Sequence, residues 1–187
     1  MKEKLLLVGS GGFGRVASEW AVKEYECSFV DDGYDMGTEI CGIKVVGHID
    51  DLQSLYGEYR KLLVTIGNNQ LREKIYREAK ELGYEFPNLI CDSVYISPYA
   101  QIGTGCVFLN NVCIQNGSIV GNGVILNPGV EIHHDSIVED NVLVYTNSVI
   151  RTMVRVGKRV KIGSTCTISN DKVIESDRII ADGITIR

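Results

Sequence analysis

Two adjacent histidines followed by a carboxylate, His133, His134 and Asp135, are the residues of this 187-residue chain best suited to moving a proton. A neutral imidazole takes up a proton near neutral pH, and a carboxylate beside it fixes the tautomer and stabilises the imidazolium that forms. The plainer reading is a pair of solvated histidines at a corner. No cluster of cysteines or further histidines accompanies them, so no metal site is expected. A second group is Gly9-Ser10-Gly11-Gly12-Phe13-Gly14, which follows the apolar stretch Leu5 to Val8. It opens a segment with Val16, Ala17, Trp20 and Ala21 at helical spacing. Strand, glycine turn and helix start together present backbone N–H groups and a positive dipole end to a phosphate. The next strand, Cys27 to Val30, ends in Asp31 and Asp32, where a carboxylate would meet a ribose or another polar part of a nucleotide. The alternative is that the glycines serve helix–strand packing and the aspartates are a solvated strand end. Gly67, Asn68 and Asn69 follow a third strand, Leu62 to Ile66, although simple helix capping accounts for the asparagines as well. Arg151, Arg155, Lys158, Arg159 and Lys161 form a run with no acidic residue inside it. They could hold the phosphates of a coenzyme or form a charged, solvated face.

Two kinds of element must position these residues. Residues 1–88 alternate strand and helix, with Ile43 to Val46 as a further strand and helices over Arg15 to Tyr25, Asp50 to Tyr59 and Leu71 to Leu82. That pattern predicts a Rossmann-like α/β unit with a parallel sheet, too short for a complete dinucleotide fold. In residues 89–187 every sixth position is apolar, from Ile90 and Ile96 through Ile132, Val144 and Ile150 to Ile180 and Ile186. Residues two places earlier, such as Val94, Cys106, Ser118 and Ser136, are small or β-branched. A strict period of six fits neither a helix nor a simple alternating strand. It predicts a parallel β-helix in which residues eighteen apart stack. Lys172 and Arg178, at normally small positions, are expected to cap it.

The formal charge of −5 and pI near 5.2 argue against a nucleic-acid binder. The four-residue apolar run at the N-terminus predicts neither a signal peptide nor a membrane span. Six cysteines without paired spacing predict reduced thiols in a cytoplasm. Flat β-helix faces commonly pack on copies of themselves, which predicts a homo-oligomer.

Taken in order, Val8 through Gly14, Phe29 through Asp32, Ile66 through Lys74 and Asn127 through Asp135 resemble the characteristic segments of the bacterial sugar O-/N-acyltransferases. These include nucleotide-sugar N-acetyltransferases and sialic-acid O-acetyltransferases. The resemblance implies a left-handed β-helix, a homotrimer, and acetyl transfer from acetyl-CoA to an amine or hydroxyl of a nucleotide-linked or sialic-acid-like sugar. It also implies His134 as the base with Asp135 as its acidic neighbour. Gly11, Gly12, Phe13, Gly14, Asp31, Asp32, Gly67 and Asn68 would hold the sugar nucleotide. Leu143, Thr152, Gly163 and Ser164 would line the coenzyme groove. Leu143 stands where many relatives carry a second histidine, and Ile150-Arg151-Thr152-Met153 replaces a glycine-rich stretch. Leu143 and Arg151 therefore favour a rival reading, a noncatalytic sugar- or nucleotide-binding regulator or scaffold of a surface-polysaccharide pathway. A third reading, an NAD-dependent enzyme, would use the glycine loop and leave His134 idle.

Overall fold

The computed structural model describes residues 2–187, which divide into a unit ending at Leu89 and a unit Ile90–Arg187. In the first, β1 (Glu3–Val8) leads through the glycine turn into α1 (Gly12–Glu24) and directly into β2 (Tyr25–Val30). A two-residue strand β3 (Glu39–Ile40) and β4 (Ile43–Gly47) follow, then a short 3₁₀ turn, α2 (Leu52–Leu55), β5 (Lys61–Val64) and α3 (Asn69–Glu81). The strand order is β3-β4-β2-β1-β5. Leu5, Leu6, Leu7 and Val8 are all buried, as a central parallel strand covered on both faces requires.

The sheet is parallel as expected except at its edge, where β3 pairs antiparallel with β4. The helix expected over Asp50 to Tyr59 shrinks to the 3₁₀ turn and a single turn of α-helix ahead of Gly57. On α3, Ile75 and Ala79 face the core as their spacing predicts, whereas Leu71 is left partly exposed. The strand order places β2 on one side of β1 and β5 on the other. Their carboxyl ends therefore diverge around a crevice, the place where open α/β sheets bind ligands.

In the second unit, two-residue strands recur every six residues and stack into three parallel sheets of six, five and six strands. Partners lie eighteen residues apart, as in Ile114↔Ile132, Val120↔Val138 and Leu126↔Val144. The sixth-residue apolar series points inward, and Ile114, Ile132, Ile150 and Ile168 are fully buried. The ends are less well covered. Ile90, expected to open the buried series, is 39% exposed, while Ile174 and Ile180 in the last coils keep some exposure.

From Gly105 to Gly183 each corner carries one residue with positive φ, at every sixth position. Glycine, asparagine or aspartate occupies most of them, the types that enter the left-handed region at least cost. Asp135 is one, with φ 61°. The tight corner thus fixes the backbone of the residue that follows His134.

Candidate active site

In the first unit, a cleft of about 370 Å³ opens at the carboxyl ends of β1, β2 and β5. Gly11, Gly12, Phe13, Asp31, Asp32 and Gly67 line it as expected from the sequence. So do Thr65 and Leu71, which sequence reasoning did not single out. Glycines in the turn divide into two kinds. A Cβ on Gly14 would be driven into the Gly9 carbonyl oxygen, so Gly14 serves the packing of turn against helix and does not line the cleft. At Gly11, Gly12 and Gly67 a Cβ would meet nothing within 4 Å, and none of the three has positive φ. Neither packing nor backbone conformation demands glycine there, which leaves room for a ligand as the reason.

The acidic residues are partly engaged by the chain itself. Ser10 donates both its N–H and its hydroxyl to Asp31 Oδ2, each at 2.6 Å, and the Gly33 N–H donates to Oδ1 at 2.8 Å. Burial alone would raise the Asp31 pKa, but these Ser10 and Gly33 hydrogen bonds outweigh it and hold the carboxyl below its ordinary value. Asp31 therefore fastens the glycine turn to the end of β2. Asp32 accepts from the Ile49 N–H at 2.8 Å through one oxygen. Asn68 caps α3, accepting from the N–H groups of Gln70 and Leu71 at 3.1 and 3.0 Å, and does not line the cleft. The capping reading therefore accounts for it. The third loop is further held by Arg72, fully buried, which donates to the Ile66 carbonyl at 2.9 Å and to Asn69 Oδ1 at 3.0 Å.

The second unit positions His134 at the corner between the strands Glu131–Ile132 and Ile137–Val138. Its side chain is 50% exposed, and Nδ1 lies 2.8 Å from Asp135 Oδ2. A carboxylate only accepts, so Nδ1 carries the proton and Nε2 presents its lone pair. Thr152 Oγ1, one coil further on, lies 3.2 Å from that Nε2. A Cβ on Gly117, one coil earlier, would collide with the Asp135 carboxylate, so the glycine leaves the space in which that carboxylate sits. The corner is also pinned from inside. Ser118 donates to the His133 carbonyl at 2.9 Å, and Ser136 donates to the Arg151 carbonyl at 2.7 Å. These serines occupy inward positions that most other coils fill with Val, Ala or Cys. His133 turns to Glu131 instead, at 3.1 Å. His134 is thus an oriented, half-exposed imidazole whose Nε2 is met by the Thr152 hydroxyl, an arrangement able to take up a proton.

Residues 4–79 match the PglD N-terminal domain family. Over 99% of this chain and 96% of the other, the sequence is 30% identical to the acetyltransferase domain of PglB from Neisseria gonorrhoeae in complex with acetyl coenzyme A. The TM-score for that pair is 0.87. The chain belongs to the bacterial sugar acyltransferase family. A second structure of the PglB domain matches with TM-score 0.93 and 29% identity over 100% of this chain and 92% of that one. A histidine-to-asparagine variant of perosamine N-acetyltransferase from Caulobacter crescentus, in complex with CoA and GDP-perosamine, matches with TM-score 0.92. It is 27% identical over 98% of this chain and 88% of that one. The second unit is accordingly a left-handed parallel β-helix.

In this acyltransferase the residues expected along the coenzyme groove do not gather in one place within the chain. Thr152 shares the His134 corner. Gly163 and Ser164 lie at the following corner but one, and Ser148, buried, donates to the Gly163 carbonyl at 2.6 Å there. A Cβ on Gly163 would meet the Asp182 backbone nitrogen at 2.6 Å, so coil stacking alone demands that glycine. Leu143 is a correction: it is 3% exposed and offers almost no surface to a coenzyme. The basic run takes the second of its two readings, a charged surface. Arg155 pairs with Glu139, Lys158 with Asp140 and Arg159 with Asp177. Lys161 lies over the Tyr145 ring, 5.3 Å from its centre. The run winds around the coil instead of forming a strip, and neighbouring coils supply the carboxylates it lacks in sequence. Only Arg151 of the five has no such partner among the described residues. No group of three or more metal-ligating side chains occurs among the described residues, and no helix there is long and apolar enough to cross a membrane.

Proposed function

We propose that this chain is a cytoplasmic, homotrimeric acetyltransferase that moves the acetyl group of acetyl-CoA to an amine or hydroxyl of a nucleotide-linked sugar, with His134 as general base. The observation that carries this reading is the His134–Asp135 pair, with Nδ1 held at 2.8 Å and the ring half exposed. His134 Nε2 takes the proton as the acceptor nitrogen or oxygen attacks the thioester carbonyl carbon. The C–S bond then breaks, and the imidazolium returns that proton to the departing CoA sulfur. Asp135 steadies the imidazolium between these events. Kinship with proteins whose complexes hold acetyl coenzyme A, or CoA and GDP-perosamine, supports the donor and the class of acceptor. The idle His134 of an NAD enzyme and the oriented pair in a mere scaffold would both lack a purpose.

The cleft with Gly11, Gly12 and Gly67 is assigned to the nucleotide part of the acceptor, its pyrophosphate against backbone N–H groups at the start of α1. Gly11→Val is therefore expected to leave the melting temperature within about 2 °C of the wild type, because a Cβ at this position meets nothing within 4 Å and the backbone there is extended. Binding of GDP-perosamine or a UDP-linked amino sugar should weaken by about tenfold or more. Gly14→Ala should instead lower the melting temperature. Equal sugar-nucleotide binding by wild type and Gly11→Val would remove the cleft from the reading.

Calorimetry with acetyl-CoA, alone and with each sugar nucleotide, tests the whole. Binding followed by release of free CoA only when an amino sugar is present is the expected result. No binding at millimolar acetyl-CoA would overturn the donor assignment.

A further inference from the structure

We propose that Thr152 is a positioning residue for the base: its hydroxyl donates to His134 Nε2, holds the ring opposite Asp135, and marks the direction from which the acceptor arrives. The inference rests on the reading of His134 as base. With Asp135 on Nδ1 at 2.8 Å, Nε2 is the acceptor of the neutral ring, so in the 3.2 Å contact the Thr152 hydroxyl is the donor whenever the imidazole is neutral.

Three features fix that hydroxyl. Thr152 is β-branched, which restricts its side chain to few rotamers. Buried Ser136 brackets its corner, donating to the Arg151 carbonyl at 2.7 Å and accepting from the Val154 N–H at 3.2 Å. The Met153 N–H donates back to the His134 carbonyl at 3.3 Å, tying the two corners together. Stacked positions in other coils hold Asn116 and Asn170, so the His–Thr contact belongs to this pair of coils alone.

Two consequences follow for the reaction. An acceptor that gives its proton to Nε2 must occupy the direction now held by the hydroxyl, so it enters by taking over this hydrogen bond. Until then, the hydroxyl keeps the ring in the orientation in which Nε2 faces the acceptor. The charged neighbours are Asp135 on the ring itself, Glu131 on His133, and Arg151 next to Thr152, and a Thr152 substitution leaves all of them in place.

The test is proton NMR of the free protein, whose three histidines are few enough for His134→Ala to identify the His134 ring signal. Valine keeps the shape of threonine at this partly exposed site. At alkaline pH the His134 ring signal of Thr152→Val should move from its wild-type chemical shift and broaden, as the ring loses the hydrogen bond that holds it. Thr152→Ser, which keeps the hydroxyl, should stay with the wild type. An unmoved ring signal in Thr152→Val, or an equal change in Thr152→Ser, would overturn the proposal. Failure of the base reading would appear elsewhere, as undiminished acetyl transfer by His134→Ala, and would leave the NMR result standing.

Discussion

His134→Ala is expected to fold normally and to lose acetyl transfer by about 10²–10⁴-fold, the range that a positioned general base supplies. The side chain is half exposed and lies outside the stacked core, so its removal should cost little stability. His133→Ala is the matched control. That ring is held by Glu131 at 3.1 Å and makes no hydrogen bond to Thr152 or Asp135, so its loss should change turnover only a few-fold. Steady-state kinetics on both variants decides the matter. Normal turnover in His134→Ala would end the assignment, and inactivation by His133→Ala instead would transfer the role to its neighbour.

The second large effect concerns the stack that carries the site. Ile150 is fully buried and sits between Ile132 and Ile168 in the same ladder. Ile150→Ala should cost about 2–5 kcal/mol through lost burial and the cavity left behind. Ile150→Asp adds an unpartnered charge in an apolar interior and should prevent the β-helix from forming. Ile179, chemically the same residue but 76% exposed, supplies the comparison: Ile179→Asp should change stability by less than about 0.5 kcal/mol. Urea unfolding followed by circular dichroism would read all three. Similar midpoints for Ile150→Asp and Ile179→Asp would contradict the inward assignment of the series.

Much of this was legible in the sequence because a period of six admits few folds. The inward isoleucines set the phase, and the phase places His134 on a corner and Thr152 one coil beyond it. What the sequence hides is contact across coils. Arg155 looks unneutralised until the chain is wound, whereupon Glu139 lies within reach. The corner conformation is similarly half visible. Gly117, Asn141 and Asp135 announce it by type, while Met153, Arg159 and Thr165 adopt positive φ with no such signal, held there by the coils on which they stack. In the first unit, two carboxylates at the end of β2 could be read, but not that Ser10 and Gly33 would claim Asp31, nor that Asn68 would spend its oxygen on a helix start. The edge strand β3, two residues long, left no periodic trace at all.

Because strands pair at a fixed eighteen-residue offset, the length of this β-helix can change only in whole steps. Gain or loss of one complete coil would leave every inward residue inward and every left-handed corner in place. Any other increment must leave the stack as a loop at a corner, or else rotate all that follows onto the wrong face. A lineage built on such a ladder can lengthen its scaffold like a spring while the pair of coils bearing His134 and Thr152 passes through unchanged.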